Sequence, residues 1–348
     1  MKLLLAFVLL PVALFAQAPK SGPWEMQNSG TTAGLRGIHA VGGGVVWASG
    51  MNGTVLRTED GGYMWQSCAV PSGAENLDFR GIWAWDANTA IVMSSGPGGQ
   101  SRLYETTDGC SHWASLYTNP DKDGFWDAIV FQNKRRGFLL GDPVDGKFVF
   151  LTTEDGGQHW VRSEGAGLEA DSKAKGAFAA SNSSLLGRPE EPVMFGTGGA
   201  FIYSQSFTGT IDFSSKPGTP AKMAEQWKRT PVPLANAGDA AGIFSLGYHS
   251  GNGPILVAVG GDYTKPNESA GTAAWSSDGG AHWTAAIKPP HGYRSAVAWD
   301  ADAKAWIAVG TNGSDISYDE GKTWQPLDDG NWNALSLPWV VGPKGRIA

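Results

Sequence analysis

The chain has 348 residues and a formal net charge of −7, and it combines 49 glycines with only 17% charged residues. It contains no extended basic tract, which argues against nucleic acid or an anionic membrane as partner. Abundant glycine with few charges is typical of tight turns and short buried strands. The chain is long for a single domain, unless its fold is one that accommodates many repeated units.

The N-terminus has the features of a secretory signal. Lys2 precedes an apolar run that continues to Ala16, and small residues follow at Ala16 and Ala18. This pattern predicts a signal peptide over residues 1–16, because the run is too short to favour a spanning helix. We expect cleavage near Ala16 and an exported protein, periplasmic or secreted and at most peripheral to the membrane. A retained N-terminal anchor is the alternative.

A short motif recurs five times along the chain. Its copies read Asp-Gly-Gly-x-x-Trp or a close variant, at residues 58–65, 106–113, 153–160, 276–283 and 317–324. The Asp can accept hydrogen bonds from backbone N–H groups of a turn, the Gly can adopt a positive φ, and the Trp offers a large surface for burial. We predict structural roles for Asp60, Trp65, Asp108, Trp113, Asp155, Trp160, Asp278, Trp283, Asp319 and Trp324.

The repeats predict an all-β fold. Each motif follows a short apolar strand, such as 54–56, so that each unit is a small antiparallel sheet that must stack on its neighbours. Trp227 and Trp24 fall where two further outer strands are expected, and 204–215 would form a lengthened turn before Trp227. We therefore predict one seven-bladed β-propeller of four-stranded antiparallel blades over residues 22–348. An N-terminal strand would join the C-terminal strands and close the ring.

Two cysteines, Cys68 and Cys110, lie in what would be adjacent blades. They are consistent with an oxidising compartment, in which they could form a disulfide, and equally with two free structural thiols. Their spacing does not match the CxxC pattern of a redox pair.

The histidines do not suggest a metal site. His112, His159 and His282 each stand directly before a motif Trp, so they repeat one turn position in different blades. No His/Cys group has metal-ligand spacing, and no phosphate-binding or dinucleotide-binding motif is present. We predict neither a metal nor a cofactor.

Candidate binding residues fall at the start of the inner strands, which line the channel of a propeller. Aligning the repeats places Arg36, Arg80 and Arg294 at one position, with Trp126 in place of Arg in the third blade. Ala177 and Ile243 would occupy the equivalent positions of two further blades, so the ring of arginines is incomplete. Adjoining loops contribute carboxylates. We predict a channel mouth formed by Arg36, Arg80, Trp126, Asp127, Asp142, Asp145, Asp262, Tyr263, Tyr293 and Arg294. Clustered guanidinium groups suit a carboxylate, such as a peptide C-terminus or an acidic sugar. Alternatively, these Arg and Asp residues form ion pairs that lock neighbouring blades together.

The turns resemble the Asp boxes of sialidase-type repeats. In addition, the chain is similar over about residues 22–348 to exported bacterial relatives of the photosystem II stability/assembly factor family. The likeness is carried by 79–82, 141–146, 260–263 and 293–297. The resemblance implies a seven-bladed propeller whose arginine-lined face, with Arg36, Arg80 and Arg294, binds a protein partner. In photosynthetic members that partner is a reaction-centre subunit precursor, which nothing in this sequence indicates here.

Two function classes follow. The first is a monomeric, non-catalytic propeller of the cell envelope that binds another envelope protein, a peptide or a carboxylate-bearing ligand. The second is a glycosidase of sialidase type, in which the three arginines would hold a carboxylate and a Tyr with Asp142 or Asp127 would act on the substrate. Against the second, 79–82 lacks the Pro of the usual Arg-Ile-Pro entry, and no Glu is placed on this face. An oxidoreductase has no cofactor motif to support it.

Overall fold

The computed structural model describes residues 22–173, 175–189, 191–208, 224–251 and 253–348. The predicted signal peptide, residues 1–16, lies outside these ranges. So does most of the lengthened turn predicted over 204–215. The part of it that is described, up to Thr208, is strand instead, because it pairs residue by residue with the strand that carries Trp227.

The described residues form six four-stranded antiparallel blades, each with its strands in sequence order, and one smaller sheet. Blade 1 contains β1 (Leu35–Gly42), β2 (Val45–Gly50), β3 (Val55–Thr58) and β4 (Gln66–Ser67), and blade 2 contains β5 (Phe79–Ala84), β6 (Ala90–Ser94), β7 (Arg102–Thr106) and β8 (Ala114–Thr118), with a 3₁₀ turn at Gly98–Gln100. Blade 3 contains β9 (Trp126–Phe131), β10 (Gly137–Val144), β11 (Lys147–Thr153) and β12 (Val161–Arg162), and blade 4 contains β13 (Leu185–Leu186), β14 (Met194–Gly196), β15 (Phe201–Thr208) and β16 (Ala224–Pro231). Blade 5 contains β17 (Ala241–Ser250), β18 (Pro254–Asp262), β19 (Ala273–Ser276) and β20 (Thr284–Ala285), and blade 6 contains β21 (Ala296–Asp300), β22 (Ala305–Gly310), β23 (Gly313–Ser317) and β24 (Gln325–Asp328). The smaller closing sheet contains β25 (Ala334–Ser336) and β26 (Trp339–Val341).

The prediction of seven four-stranded blades is wrong, since only six are present in the described part of the chain. The closing sheet has two strands, extended by a single bridge between Val341 and Ile347. The N-terminal segment meets the residues that follow β26 through two separate backbone hydrogen bonds. The Gln27 N–H donates to the Ile347 carbonyl at 2.9 Å, and the Gly345 N–H donates to the Ala33 carbonyl at 2.7 Å. Trp24 lies outside any strand and packs on Trp332. Two separate hydrogen bonds do not form a strand, so counting tryptophans overestimated the number of blades.

The ring nevertheless closes through its inner strands. β25 contacts both β21 of blade 6 and β1 of blade 1, which continues the series in which the inner strands of neighbouring blades touch. Each interface between neighbouring sheets buries an apolar cluster. The one between blades 3 and 4, for example, contains Phe150, Phe195 and Trp227 with ring centroids 4.6–6.3 Å apart. Burial between sheets is therefore what holds the blades in place.

The five repeated motifs form one kind of turn between the third and fourth strands of a blade, which we call the aspartate turn. In blade 3 the Thr153 hydroxyl donates to Asp155 at 2.9 Å and accepts the Gly157 N–H at 2.9 Å. The Asp155 carboxylate accepts the His159 N–H at 3.0 Å. The Trp160 indole N–H donates back to the Gly157 carbonyl at 2.9 Å. The hydroxyl and the carboxylate thus satisfy backbone groups that have no partner in a sheet.

The second glycine of each aspartate turn faces the preceding sheet of the ring. A Cβ on Gly157 would lie 3.2 Å from Ile91 of blade 2, and one on Gly62 would lie 2.4 Å from Trp339 of the closing sheet. In blade 2 this position is Cys110, which has a positive φ of 66°. Its sulfur is bonded to Cys68 of blade 1. A covalent bond therefore replaces the packing contact that the other turns make.

His39, on β1, is a buried aromatic residue at the interface between blades 1 and 2. Its ring stacks on Trp83 with centroids 4.3 Å apart, and its Nδ1 accepts the Ala84 N–H at 2.9 Å. Burial lowers the pKa of His39 from 6.5 to about 4, because the imidazolium would lose its water there.

We expect Thr153→Val to destabilise the fold by about 1–3 kcal/mol, because it leaves the buried Gly157 N–H without an acceptor. The neighbouring Thr152→Val is the control, since Thr152 has no side-chain hydrogen bond within the described residues and lies on the opposite face of β11. Urea unfolding of the two variants measures the difference. Equal stabilities would show that the aspartate turn does not depend on its hydroxyl.

We expect His39 to make stability depend on pH in one direction. Because its pKa is lower in the folded state than in the unfolded chain, the stabilisation is complete above pH 6.5 and is lost as the pH falls towards 4. Between pH 8 and pH 5 the wild type should lose roughly 2 kcal/mol more than His39→Gln, whose amide oxygen can still accept the Ala84 N–H. Parallel stability curves for the two proteins would contradict this assignment.

Candidate functional site

The mouth of the channel is shaped by one extra residue at the start of the inner strands. In blade 1, Leu35 pairs with Gly50 and Gly37 pairs with Ser49, so Arg36 has no partner in the ladder. The same register shift leaves Arg80, Asp127 and Phe244 unpaired in blades 2, 3 and 5. Such bulges turn a side chain out of the sheet. We call these the bulge residues.

Blade 6 and the closing sheet repeat the arrangement. Ser295 donates its N–H to the Val309 carbonyl although Val309 already pairs with Ala296, and Asn333 and Ala334 share Val341 in the same way. All six bulge residues line one cavity of about 460 Å³: Arg36, Arg80, Asp127, Phe244, Ser295 and Asn333.

The alignment of repeats had the wrong register in three blades. It placed Trp126, Ile243 and Arg294 at the position of Arg36 and Arg80. The structure places Asp127, Phe244 and Ser295 there. Trp126 is instead 1% exposed and stacks on Tyr117. Because successive residues of a strand point to opposite faces, a shift of one residue exchanges a cavity residue for a core residue.

The two cavity arginines differ in their contacts. Arg80 is held by Asp78, whose carboxylate accepts from Nε at 2.8 Å, and by the Ala179 carbonyl at 3.2 Å from Nη1. The buried Nε of Arg36 has no acceptor, and no described residue accepts a hydrogen bond from its side chain. Burial, and secondarily the nearby positive charge of Arg80, lowers the pKa of Arg36. Arg36 is only partly buried, and it lines the cavity without a hydrogen bond to any described residue, so its guanidinium is able to bind an anion that is supplied from outside.

Two carboxyl groups lie in the same cavity. Asp127 is 1% exposed, and its Oδ2 has no hydrogen-bond partner among the described residues. Burial, helped by the like charge of Asp142 and opposed by Arg80, raises the pKa of Asp127 well above its usual value. Asp142 accepts the Ala177 N–H at 2.9 Å, and burial raises its pKa as well. Burial therefore makes both carboxyls easier to protonate than an exposed Asp, while Arg80 is paired with Asp78.

Aromatic side chains form another wall of the cavity. Phe178 and Phe244 stack with centroids 3.7 Å apart and planes 12° from parallel. Tyr293 meets Phe244 edge-on at 4.8 Å, and the half-exposed Tyr263 lies 6.1 Å away. We call Phe178, Phe244, Tyr263 and Tyr293 the aromatic wall. The sequence predicted its two tyrosines and missed the two phenylalanines, as well as Phe125 of the cavity lining.

A signal for Phe244 was present in the sequence. A small residue follows every bulge residue: Gly37, Gly81, Ala128, Ser245, Ala296 and Ala334. Aligning the repeats on this small residue, instead of on the arginines, gives the observed register. Phe178 and Phe125 have no such signal, because they enter the cavity from irregular segments.

Arg294 is a buried residue whose hydrogen bonds stabilise the fold. It is fully buried, and its Nε donates to Asp315 at 2.6 Å and its Nη1 to Asn312 at 2.6 Å. His291 completes the network, with its Nδ1 2.9 Å from the second oxygen of Asp315. Arg294 does not line the cavity, and its ion pair lies within blade 6, where it ties the loop before β21 to β23.

Two predicted carboxylates also lie away from the cavity. Asp145 is exposed in the two-residue turn between β10 and β11, where it has a positive φ of 52°. Asp262 accepts hydrogen bonds from the Thr264 hydroxyl at 2.6 Å and the Thr264 N–H at 3.0 Å, which lower its pKa. Both aspartates therefore belong to turns and do not contribute to the cavity lining.

The acidic residues in the cavity lining are aspartates. No glutamate contributes to the lining within the described part of the chain. Among the residues that the structure describes, no group of three or more His, Cys, Asp or Glu is placed to hold a metal ion.

No helix in the described ranges has the length and apolar character needed to cross a lipid bilayer.

Comparison with known proteins identifies the fold. No sequence model of a protein family matches the chain, and neither does any curated protein. Among solved structures, YCF48 bound to D1 peptide matches with 17% identity and a TM-score of 0.60, over 95% of this chain and 97% of that one. YCF48 from Cyanidioschyzon merolae matches with 17% identity and a TM-score of 0.58, over 94% and 98% of the two chains. The resemblance to the photosystem II assembly factor family is thereby confirmed at the level of the fold.

A glycosidase shares the fold less completely. An ancestral GH74 enzyme matches with 14% identity and a TM-score of 0.54, over 91% of this chain but only 41% of that chain. The protein thus spans about two-fifths of the length of that enzyme.

The contrast between the arginines can be tested by stability. Arg294→Met should destabilise the fold by about 3–5 kcal/mol, because it leaves Asp315 buried without its counter-charge. Arg36→Met should leave stability unchanged or raise it, since it removes a buried charge that has no partner. Urea unfolding at pH 7 compares the two variants. A large loss of stability in Arg36→Met would mean that Arg36 is structural.

Proposed function

We propose that the protein is a non-catalytic binding propeller of the cell envelope, which captures a protein or peptide partner through the cavity at its channel mouth. The observation that carries this proposal is the guanidinium of Arg36, which lines the cavity together with Arg80 and makes no hydrogen bond to any described residue. A charged side chain that has no partner in the folded protein and lies in a cavity is typical of a ligand-binding site. We propose that the ligand presents an anionic group, most simply a carboxylate.

Further observations support a peptide or protein partner. A solved structure with the same fold is described as YCF48 bound to D1 peptide, so a propeller of this shape is able to bind a peptide. The cavity of about 460 Å³ is open at the surface and combines charged and aromatic side chains, as peptide-binding sites commonly do.

The envelope location is part of the proposal. The signal-peptide pattern over residues 1–16 supports export, and the bond between Cys68 and Cys110 is of a kind that persists in oxidising compartments. We propose that the protein acts there as a monomer and that its partner is another envelope protein.

Capture of a partner from envelope extract tests the role of the arginines. The double variant Arg36→Gln/Arg80→Gln should lose the captured protein, because both guanidinium groups of the cavity are removed. The control is Arg135→Gln/Lys228→Gln, which removes the same charge from exposed positions outside the cavity and should retain capture. Equal capture by all three proteins would overturn the proposal, and circular dichroism confirms that each variant is folded.

A glycoside hydrolase is the second candidate. It is supported by the fold shared with a GH74 enzyme and by two buried carboxyl groups, Asp127 and Asp142, in one cavity. Glycosidases use such pairs with one raised pKa. Release of nitrophenol from a panel of nitrophenyl glycosides, lost in both Asp127→Asn and Asp142→Asn, would favour this function over the non-catalytic one.

A further inference from the structure

We propose that the partner enters the cavity with a C-terminal aromatic residue, whose carboxylate meets Arg36 and Arg80 and whose ring packs on the aromatic wall. This inference rests on the proposed binding function and specifies the chemistry of the ligand. Such a ligand would contact both halves of the cavity, the arginines and the aromatic wall, at the same time.

The arginine half of the cavity selects the carboxylate. Arg80 lines the cavity and is fixed by Asp78 and the Ala179 carbonyl, which leave part of its guanidinium without a partner among the described residues. Arg36 also lines the cavity and makes no hydrogen bond within the described residues, although its Nε is buried. Two guanidinium groups from neighbouring blades can share the two oxygens of one carboxylate.

The aromatic half selects the ring. Phe244 is a bulge residue, so it occupies in blade 5 the position that arginine occupies in blades 1 and 2. Phe178 stacks on Phe244 and remains partly exposed, and Tyr263 is 52% exposed beside them. Exposed aromatic surface at a cavity wall is stabilised by covering it with another ring. An anion without an apolar group would leave this wall exposed to water.

Asp127 is compatible with this ligand only in its neutral form. As a carboxylate it would repel the bound anion, but burial and the nearby Asp142 raise its pKa. Asp127 lines the cavity, and its Oδ2 has no partner among the described residues. A protonated Asp127 can donate a hydrogen bond to the ligand, as the neutral amide of Asn also can.

A second hollow explains why we assign the ring to a chain end and not to a free acid. Asp142, Ala177 and Phe178 line both the cavity and an adjoining groove of about 320 Å³, which continues past Gly198 and Asn236. The backbone that precedes a bound C-terminal residue therefore has a path to the surface. A free aromatic acid would leave the groove unused.

Isothermal titration with the mature protein tests the ligand class, with N-acetyl-phenylalanine and Ac-Ala-Ala-Phe as probes. N-acetyl-phenylalanine should bind at least tenfold more tightly than its C-terminal amide and than N-acetyl-alanine. Ac-Ala-Ala-Phe should bind more tightly still. Equal affinity for acid and amide, or for Phe and Ala, would overturn the proposal. Tighter binding of the single residue would overturn the assignment to a chain end.

Variants separate the two halves of the cavity. Arg36→Gln and Phe178→Ala should each weaken binding of Ac-Ala-Ala-Phe at least tenfold, whereas the exposed controls Arg135→Gln and Tyr63→Ala should not change it. If Phe178→Ala does not fold, Phe178→Leu replaces it, because it keeps apolar volume without a ring. Asp127→Asn should bind within threefold of the wild type, and a gain above tenfold would show that Asp127 is ionised and would contradict its assigned role.

The failures are distinguishable. If partner capture depends on Arg36 and Arg80 but Phe178→Ala leaves it unchanged and no aromatic probe binds, the inference is wrong and the proposed function stands. If capture does not depend on the arginines either, both are wrong.

Discussion

The structure depends on how closely the inner strands approach one another around the channel. A Cβ on Gly37 would lie 2.6 Å from the Ser49 hydroxyl and 3.1 Å from the Arg80 carbonyl, and one on Gly81 would lie 2.8 Å from Asn182. Only a small residue fits where the strands are this close. The preceding residue then cannot continue the ladder and turns into the cavity as a bulge. One steric constraint, repeated from blade to blade, thus brings together side chains that are far apart in the sequence.

The fold separates stability from recognition. The aspartate turns connect the third and fourth strands of a blade. Their Thr or Ser hydroxyls and Asp carboxylates form hydrogen bonds with the backbone, and their Trp rings pack between sheets. In blade 2 the Cys68–Cys110 bond makes the contact between sheets covalent. The bulge residues lie outside the strand ladder, and their side chains differ between blades: arginine in blades 1 and 2, aspartate in blade 3 and phenylalanine in blade 5. Two others link neighbouring sheets, since Ser295 donates to the Asn333 carbonyl at 2.8 Å and Asn333 donates to the Leu35 carbonyl at 2.7 Å.

Two arginines illustrate this separation. Arg294 meets a carboxylate, an amide oxygen and a histidine within its own blade, so its charge is satisfied by folding. Arg36 has no hydrogen-bond acceptor among the described residues, and it lies near Arg80 in a cavity that also contains Asp127, whose pKa burial raises. Proteins break local rules of this kind mainly where function requires it. Arginine is therefore structural in blade 6, where a carboxylate of the same blade pairs with it, and a candidate for binding in blade 1, where no such partner is present among the described residues.

The sequence by itself determined the all-β propeller, the four-stranded antiparallel blades and the places of the aspartate turns, because these follow from local turn chemistry that repeats at a regular period. It also brought Arg36, Arg80, Asp142, Tyr263 and Tyr293 to one face. Only the tertiary structure decided that six blades are four-stranded, since Trp24 resembles an outer-strand residue but its segment makes too few hydrogen bonds to form one. The tertiary structure also decided which neighbour in each pair, Trp126 or Asp127 and Arg294 or Ser295, faces the cavity. A register shift of one residue reverses the direction of a side chain, and that register is set by contacts between blades which no single repeat contains.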